Sequence, residues 1–427
     1  MENGDGDPLE DIRGTVEAAG GTGRYSGFPA DEFIKIKELL SAVRACLLCS
    51  SGRIFSSTDG KDVFSLYEYL ETPAVAIELD IVERNICTLV ENAARHGIVH
   101  RPHIKTHRSV ELAKLQLRLG AKGITCAKLG EAEVMADAGI TDIFVCYPLI
   151  GPEKLARLEK LLLRADISTL INSVEGARGL SDLGVSMGRR IPVRIDLDGG
   201  LGRGGLQPGS PALEFARAVR ELPGIQIVGL MYYGGLIYHQ KGRAAMEQIA
   251  RKEHDDLVQT AALLRADGFT IDVLSGGTSF SGKMPELLEG VTEIRSGHYI
   301  FNDCGQLFSG FAAEDDCAMR VVLSVVSIVD EHHAILDAGT KILTSDGCER
   351  HPGYGAVLGR PDMVITALNE EHAFLESSLP LDVKIGDKLA VIPNHCCVVC
   401  NMVDEVYGIR SGRLDHKIRI DARGKSV

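Results

Sequence analysis

From Thr72 to about residue 312 the chain alternates short β-prone apolar runs with longer amphipathic segments, the rhythm of repeated βα units. The candidate strands are residues 98–104, 123–127, 142–146, 168–171, 191–197, 225–230, 271–275 and 291–295. Eight such runs separated by helical stretches predict a (β/α)8 barrel. A doubly wound sheet is the alternative, because periodicity does not distinguish a closed sheet from an open one. The first long helix should present Ile86, Leu89, Val90 and Ala93 as its apolar face, with Asp80 as cap and Glu83 completing a capping box. Beyond residue 312 the texture changes. Residues 320–329 and 333–339 read as strands, turns fall at Asp346-Gly347 and Gly353-Tyr354-Gly355, and no long helix is visible. The expected architecture is α/β: a TIM barrel over 72–312 and a β-rich C-terminal domain over 313–427. An extension over 1–71, rich in Gly, Asp and Glu and then helical, precedes them and can lend the second domain an element.

In a barrel, functional groups sit just after strand ends. Lys105, Lys128, Tyr147, Asn172, Asp198, the Tyr232/Tyr233 pair, Ser275-Gly276-Gly277-Thr278 and Arg295-Ser296-Gly297-His298-Tyr299 all fall there. The most pointed of these segments is Arg101-Pro102-His103-Ile104-Lys105-Thr106-His107, one lysine among two imidazoles after the apolar run ending at Ile98-Val99. A lysine at a strand mouth suits an internal Schiff base, and the cofactor would then be pyridoxal phosphate (PLP). Taken alone, the heptapeptide reads equally as a surface patch.

Composition narrows the setting. With 427 residues and 45% apolar content the chain can bury a large core and divide into two domains of a soluble globular protein. A net charge of -13 without a Lys/Arg stripe argues against nucleic acid as partner. No apolar run is long enough to span a bilayer, and the first thirty residues lack the basic start and apolar core of a secretory signal. The odd count of 11 cysteines reads as reduced thiols of a cytoplasmic enzyme. Of the two CxxC pairs, Cys46/Cys49 lies in an apolar helical pattern and reads as packing, and Cys397/Cys400 lies near the C-terminus.

Thr72-Pro73-Ala74, Arg101 to His107, Thr125-Cys126-Ala127-Lys128-Leu129-Gly130-Glu131-Ala132-Glu133, Ser275-Gly276-Gly277-Thr278 and Pro393-Asn394-His395-Cys396-Cys397 together resemble one family. It is the fold-type III PLP enzymes, in the branch of D-threonine aldolase, eukaryotic-type D-serine dehydratase and D-3-hydroxyaspartate lyases. The likeness runs from about residue 72 to 422, and the family fold is a barrel followed by a β domain. It implies that Lys105 carries the cofactor, that His103 and His107 are candidate bases, and that the chain forms a homodimer. A lysine partly withdrawn from water beside cationic imidazoles would also favour the free amine. Gly276, Gly277 and Thr278, with Gly297 and Tyr299 in the neighbouring loop, supply backbone donors and little bulk for a phosphate. Tyr233 completes the expected cofactor contacts.

Arg194, Asp196 and Asp198 alternate along one strand and share a side, toward the cofactor or into a buried network inside the barrel. Arg203, in a glycine-rich stretch, is the candidate for a substrate carboxylate. His395 and Cys397 would point the same way from an extended strand, an imidazole and thiolate pair suited to Zn²⁺. Alone, such a pair is usually packing. With the resemblance it reads as a divalent metal site, Zn²⁺ favoured over Mn²⁺ or Mg²⁺, the other positions left to water or substrate. Asn394 would orient the loop, and Cys396 would point away.

The resemblance further implies β-hydroxy D-amino acids as substrates, the metal acting on the β-oxygen as a Lewis acid. Retro-aldol cleavage to glycine and an aldehyde is the expected reaction, supported by the likeness of residues 401–406 and Arg101-Pro102-His103 to the bacterial aldolase-like branch. Dehydration of D-serine, D-threonine or D-3-hydroxyaspartate to a 2-oxo acid and ammonia is the alternative, supported by the thiolate of Cys397. Racemisation, which needs no metal pair, and a noncatalytic cofactor carrier are the remaining readings. One departure stands out: residues 229–236 carry glycine where the family often has a histidine, leaving Tyr232, Tyr233 or His239 as substitutes.

Overall fold

The computed structural model describes residues 67–427, so the extension expected over 1–71, apart from its end, and the Cys46/Cys49 pair lie outside the described residues. Each of the eight anticipated runs holds a strand: β2 (Val99–His100), β3 (Ile124–Cys126), β4 (Asp142–Pro148), β5 (Asp166–Ile171), β6 (Ile191–Leu197), β7 (Ile225–Tyr232), β8 (Val273–Gly276) and β9 (Glu293–Ile294). They form one parallel sheet in the order β2-β9-β8-β7-β6-β5-β4-β3. The seam between β2 and β3 is joined by the Lys122 amide on His100 O and the Thr125 amide on Pro102 O, both at 2.8 Å, and by a parallel bridge between His103 and Thr125. The sheet is therefore a barrel rather than a doubly wound layer.

β6 shows how the pattern builds it. Ile191, Val193, Ile195 and Leu197 are buried in the main apolar core, as a strand covered by helices requires. The alternate residues face inward, where the barrel is polar. Arg194 Nη1 donates to Glu293 Oε1 at 2.6 Å, Arg101 Nε donates to Glu293 Oε2 at 2.6 Å, and Ser275 Oγ donates to Glu293 Oε1 at 2.6 Å. The buried network was thus the right alternative for Arg194.

The helix Leu79–Arg95 buries Ile86, Leu89 and Ala93 as expected, but its cap differs. Glu78 is the N-cap and makes no side-chain cap. Asp80 instead accepts from the Ser411 amide at 2.7 Å, and Glu83 accepts from Arg410 Nη2 at 2.9 Å. A tertiary partner has displaced the local bond.

The C-terminal region is a nine-stranded sheet. Strand β10 (Met319–Ile328) pairs with β11 (His333–Leu336) and with β15 (Lys388–Ile392); β12 (Ala356–Val357), β13 (Met363–Leu368) and β14 (Ala373–Ser377) complete a closed ring between those two. Outside the ring, β1 (Ala74–Glu78) lies antiparallel on β10 and parallel to β16 (Glu405–Arg410), which forms a hairpin with β17 (Arg413–Arg419). The described chain therefore enters the C-terminal sheet before it winds the barrel. Among the described residues no helix is long and apolar enough to cross a membrane.

Candidate active site and metal centre

The C-terminal ends of the barrel strands open into a cavity of about 1070 Å³. His103, Lys105, Lys128, Tyr147, Asn172, Asp198, Arg203, Tyr233, Gly277, Thr278 and Gly297 line it, and the C-terminal domain adds His395 and Cys397.

Pro102 cannot extend the ladder as a donor, and after it the chain makes a 3₁₀ turn over Ile104–Thr106. That turn sorts the heptapeptide. Lys105 is exposed to the cavity, and His103 caps the turn on the cavity wall, its Nδ1 accepting from the Lys105 amide at 3.5 Å. His107 goes the other way. It is fully buried and does not line the cavity: Nδ1 accepts from the Ser109 amide at 3.1 Å, and Nε2 meets Gln116 Oε1 at 3.1 Å. Burial lowers both rings, His107 to about 4 and His103 well below the usual range, where Lys105 and Arg295 push in the same direction. The imidazoles flanking Lys105 are neutral, not cationic.

The phosphate segments divide similarly. Gly277, Thr278 and Gly297 reach the cavity, whereas Gly276 and Tyr299 do not. Tyr299 is buried beneath His100, ring centroids 4.8 Å apart, and its hydroxyl accepts from Gln116 Nε2 at 2.8 Å. The Gly277 amide donates to Glu253 Oε1 at 2.7 Å and the Thr278 amide to Ser281 Oγ at 2.8 Å, so these two donors already hold the turn. Glycine is needed where the loops close in. Gly277 has φ +76, and a Cβ there would sit 2.4 Å from Ile294 Cβ; a Cβ on Gly297 would sit 2.9 Å from Thr106 Oγ1. Arg295, in view from the sequence only as the start of the last strand-end segment and given no role of its own, is buried on the cavity wall, its Nη1 on Ser275 Oγ at 2.6 Å and Nη2 on Tyr232 O at 2.8 Å.

The loop after β7 brings Tyr233, Tyr238 and His239 to the cavity, but Tyr232 turns away and donates to Asp256 Oδ2 at 2.9 Å. Arg203 lies over the Tyr233 ring at 4.5 Å, and Lys128 over Tyr147 at 3.3 Å. Asp198 accepts from the Gly200 and Gly202 amides at 3.0 and 3.2 Å and shapes the glycine-rich loop.

His395 and Cys397 do come together, by a different local geometry. They do not lie on a strand: a helix runs over Cys396–Met402, and His395 is its extended N-cap. Helical spacing would splay them, and the cap residue's φ of -145 brings the imidazole back. Cys396 is buried in the apolar core, as a packing thiol should be, and its Sγ also lies 3.5 Å from buried Asp303 Oδ2. The third donor is one the sequence reading assigned to a phosphate turn. Ligating atoms of His298, His395 and Cys397 all lie within 4.8 Å of one another. His395 Nδ1 is held by Asp346 Oδ2 at 2.8 Å. Asn394 fixes the loop as expected, accepting from the Gly355 amide and donating to Asp346 O and Gly353 O. The hydrogen bond from Cys396, with those from His298 and His395, holds the Cys397 thiol well below its ordinary range despite burial. The thiolate is the ligating form.

Comparison with known proteins agrees with this geometry. Residues 77–304 match the family model "Alanine racemase, N-terminal domain", and residues 318–409 match a serine dehydratase domain model. The chain is 32% identical to D-threonine aldolase from Arthrobacter sp. over 84% of this chain and 94% of that one. It is 33% identical to D-threo-3-hydroxyaspartate dehydratase from Delftia sp. over 77% and 91%. The crystal structure of D-threonine aldolase from Filomicrobium marinum superposes with a TM-score of 0.78 at 31% identity, covering 84% of this chain and 98% of that one. With the lysine, the strand-end cavity and both domains in place, the chain belongs to the fold-type III PLP enzymes, in the alanine-racemase-like clade of D-threonine aldolase and hydroxyaspartate dehydratase, and is a PLP-dependent lyase.

Proposed function

We propose that the protein dehydrates a β-hydroxy D-amino acid to a 2-oxo acid and ammonia with the help of a divalent metal. The observation that carries the reading is the donor pair His395 and Cys397, placed beside the turn of Lys105. D-threo-3-hydroxyaspartate dehydratase has been solved as a histidine-to-alanine variant and as a cysteine-to-alanine variant two positions further on, the latter in a metal-free form; the same His-x-Cys spacing stands here.

Both groups fit the residues present. Imidazole and thiolate within reach of one another favour Zn²⁺ over the harder Mn²⁺ and Mg²⁺. Arg295 among the cavity-lining residues, with Gly277 and Gly297 drawn in close, suits an anionic cofactor, and Lys105 lines the same cavity. When bound, PLP supplies the electron sink for an α-carbanion, and the metal supplies Lewis acidity at the β-oxygen.

The chain's own residues do the rest. Arg203 faces the cavity from the Tyr233 ring and takes the substrate carboxylate. Lys105 is the cavity-lining amine that removes the α-proton. Asp346 fixes the orientation of His395, and Thr106 sets Cys397 against the lysine turn. The substrate's hydroxyl departs with a proton as water, and a second water releases ammonia.

Retro-aldol cleavage is the second reading, favoured by the near full-length likeness to the Arthrobacter and Filomicrobium aldolases. Its base would accept the β-hydroxyl proton, and the neutral ring of His103 on the cavity wall is suited to that. Product analysis of the metal-replete enzyme with D-serine, D-threonine and D-3-hydroxyaspartate separates the two. Pyruvate or 2-oxobutanoate with ammonia supports dehydration; glycine with acetaldehyde from D-threonine replaces it with the aldolase reading.

A further inference from the structure

His298 sits in the loop after β9, yet its ring lies against the metal pair, 6.4 Å from the His395 ring centroid and nearly perpendicular to it. An extra imidazole near a cysteine is commonly packing. A ligand differs from a packed ring in one respect: something must hold its other nitrogen and so direct a lone pair to the metal.

Gln306 supplies that partner. Its side chain is fully buried, its Nε2 lies 3.2 Å from His298 Nε2, and its Oε1 meets no hydrogen-bond partner. In this arrangement His298 Nε2 accepts, and the ring proton sits on Nδ1, 3.4 Å from Asp303 Oδ2. Turning the amide through half a revolution exchanges its two ends. Oε1 then accepts from His298 Nε2–H, the stranded oxygen is satisfied, and Nδ1 is left with a lone pair that, 3.4 Å from the Asp303 carboxylate, calls for a cation beside it. His395 is held in the same way, its Nδ1 engaged by Asp346 Oδ2 at 2.8 Å, which leaves its other nitrogen to face the Cys397 sulfur.

We propose that His298 is a third protein ligand of the metal held by His395 and Cys397, and that Gln306 is the positioning residue that sets its tautomer. The inference rests on the metal dependence proposed above and not on which reaction follows. Three protein donors leave one position of a tetrahedral ion open for substrate, the form catalytic zinc sites take. An overlapping group, His298 with Asp303 and Cys396, competes less well: Asp303 Oδ2 already accepts from the Cys396 amide at 3.4 Å and from its thiol at 3.5 Å.

The test uses the holoenzyme and two readouts that do not depend on turnover: zinc affinity by chelator competition, and the visible spectrum of the Co²⁺-substituted protein. His298→Asn should weaken zinc binding by at least about 10–100-fold and lower the cobalt band intensity as water replaces the imidazole. Cofactor absorbance reports that the barrel remains folded. Gln306→Leu should also weaken zinc, while Gln306→Glu, which keeps an acceptor for Nε2–H, should bind it as wild type does. Unchanged affinity and an unchanged cobalt spectrum in His298→Asn would overturn the ligand assignment, and equal affinities in the two Gln306 variants would overturn the positioning role. A wild-type enzyme that takes up no zinc would instead remove the metal-dependent reading, and this inference with it.

Discussion

Cys397 Sγ lies 3.3 Å from Thr106 Oγ1, joining a helix start in the C-terminal domain to the residue next to Lys105, 291 positions away. With Cys397 ionised, the buried hydroxyl donates to the sulfur, so the proposed metal pair is tied to the turn that carries Lys105. Thr106→Val keeps the shape and removes the donor. Zinc affinity should fall roughly fivefold, the equivalent of one ordinary hydrogen bond, with cofactor absorbance unchanged. A chelator titration checks this, and wild-type affinity in the variant would separate the two sites.

Lys105 and His107, two basic residues of the heptapeptide, should behave differently on mutation. Lys105→Ala should lose the visible absorbance of bound cofactor and drop turnover by about 10²–10⁴-fold or more. His107→Asn should keep the absorbance and instead lower stability by about 1–3 kcal/mol, because the Ser109 amide and Gln116 lose a buried partner. Absorbance and denaturant midpoint, measured on both variants, distinguish them. Cofactor loss in His107→Asn at unchanged stability would return that ring to the site.

These contrasts mark what the sequence could show. Eight strands were legible because barrel strands carry buried residues at alternate positions, as Val193 and Ile195 do, and are followed by polar residues such as Lys105 and Asn172. The fate of side chains within turns was not legible. A 3₁₀ turn sends Lys105 and His107 to opposite sides, though both are adjacent to the same motif. His395 and Cys397 were found through a strand argument that fails, since their convergence depends on a helix cap. His298 was in view only as part of a glycine turn. Its contact with residues about a hundred positions away exists only once the C-terminal domain covers the barrel.

Inside the barrel, Glu293 is held by two arginines. Burial alone would raise its carboxyl, but Arg194 and Arg101 bring it down to about 2. The folded value lies below the unfolded one near 4.5, so this group's stabilisation is fully present above about pH 4.5 and is lost as pH falls through about 2. Glu293→Gln leaves both guanidinium groups buried without their shared anion and should cost about 3–5 kcal/mol at neutral pH. Its denaturation free energy should also vary less with pH in the acid range. A loss under about 1 kcal/mol would show that water or the Ser275 hydroxyl already carries the charge.

Asp196 gives the opposite sign at the cavity itself. Burial raises its carboxyl to about 6, partly offset by the hydrogen bond from Asn172 Nδ2 at 3.3 Å and by Arg295 and Arg203. A raised acid stabilises the fold below its unfolded value of 3.8, and that contribution is lost as pH rises through about 6. The same titration reaches the substrate. Above pH 6 the Asp196 carboxylate competes with a substrate carboxylate for Arg203, so KM should rise across that interval while kcat changes less. Asp196→Asn keeps the side-chain shape, removes the titrating charge, and should flatten the KM limb while raising stability at pH 7. Initial rates from pH 5 to 8 on wild type and variant test this. If the limb persists in Asp196→Asn, the pH dependence belongs to another group, and Arg203 is not the residue through which Asp196 acts.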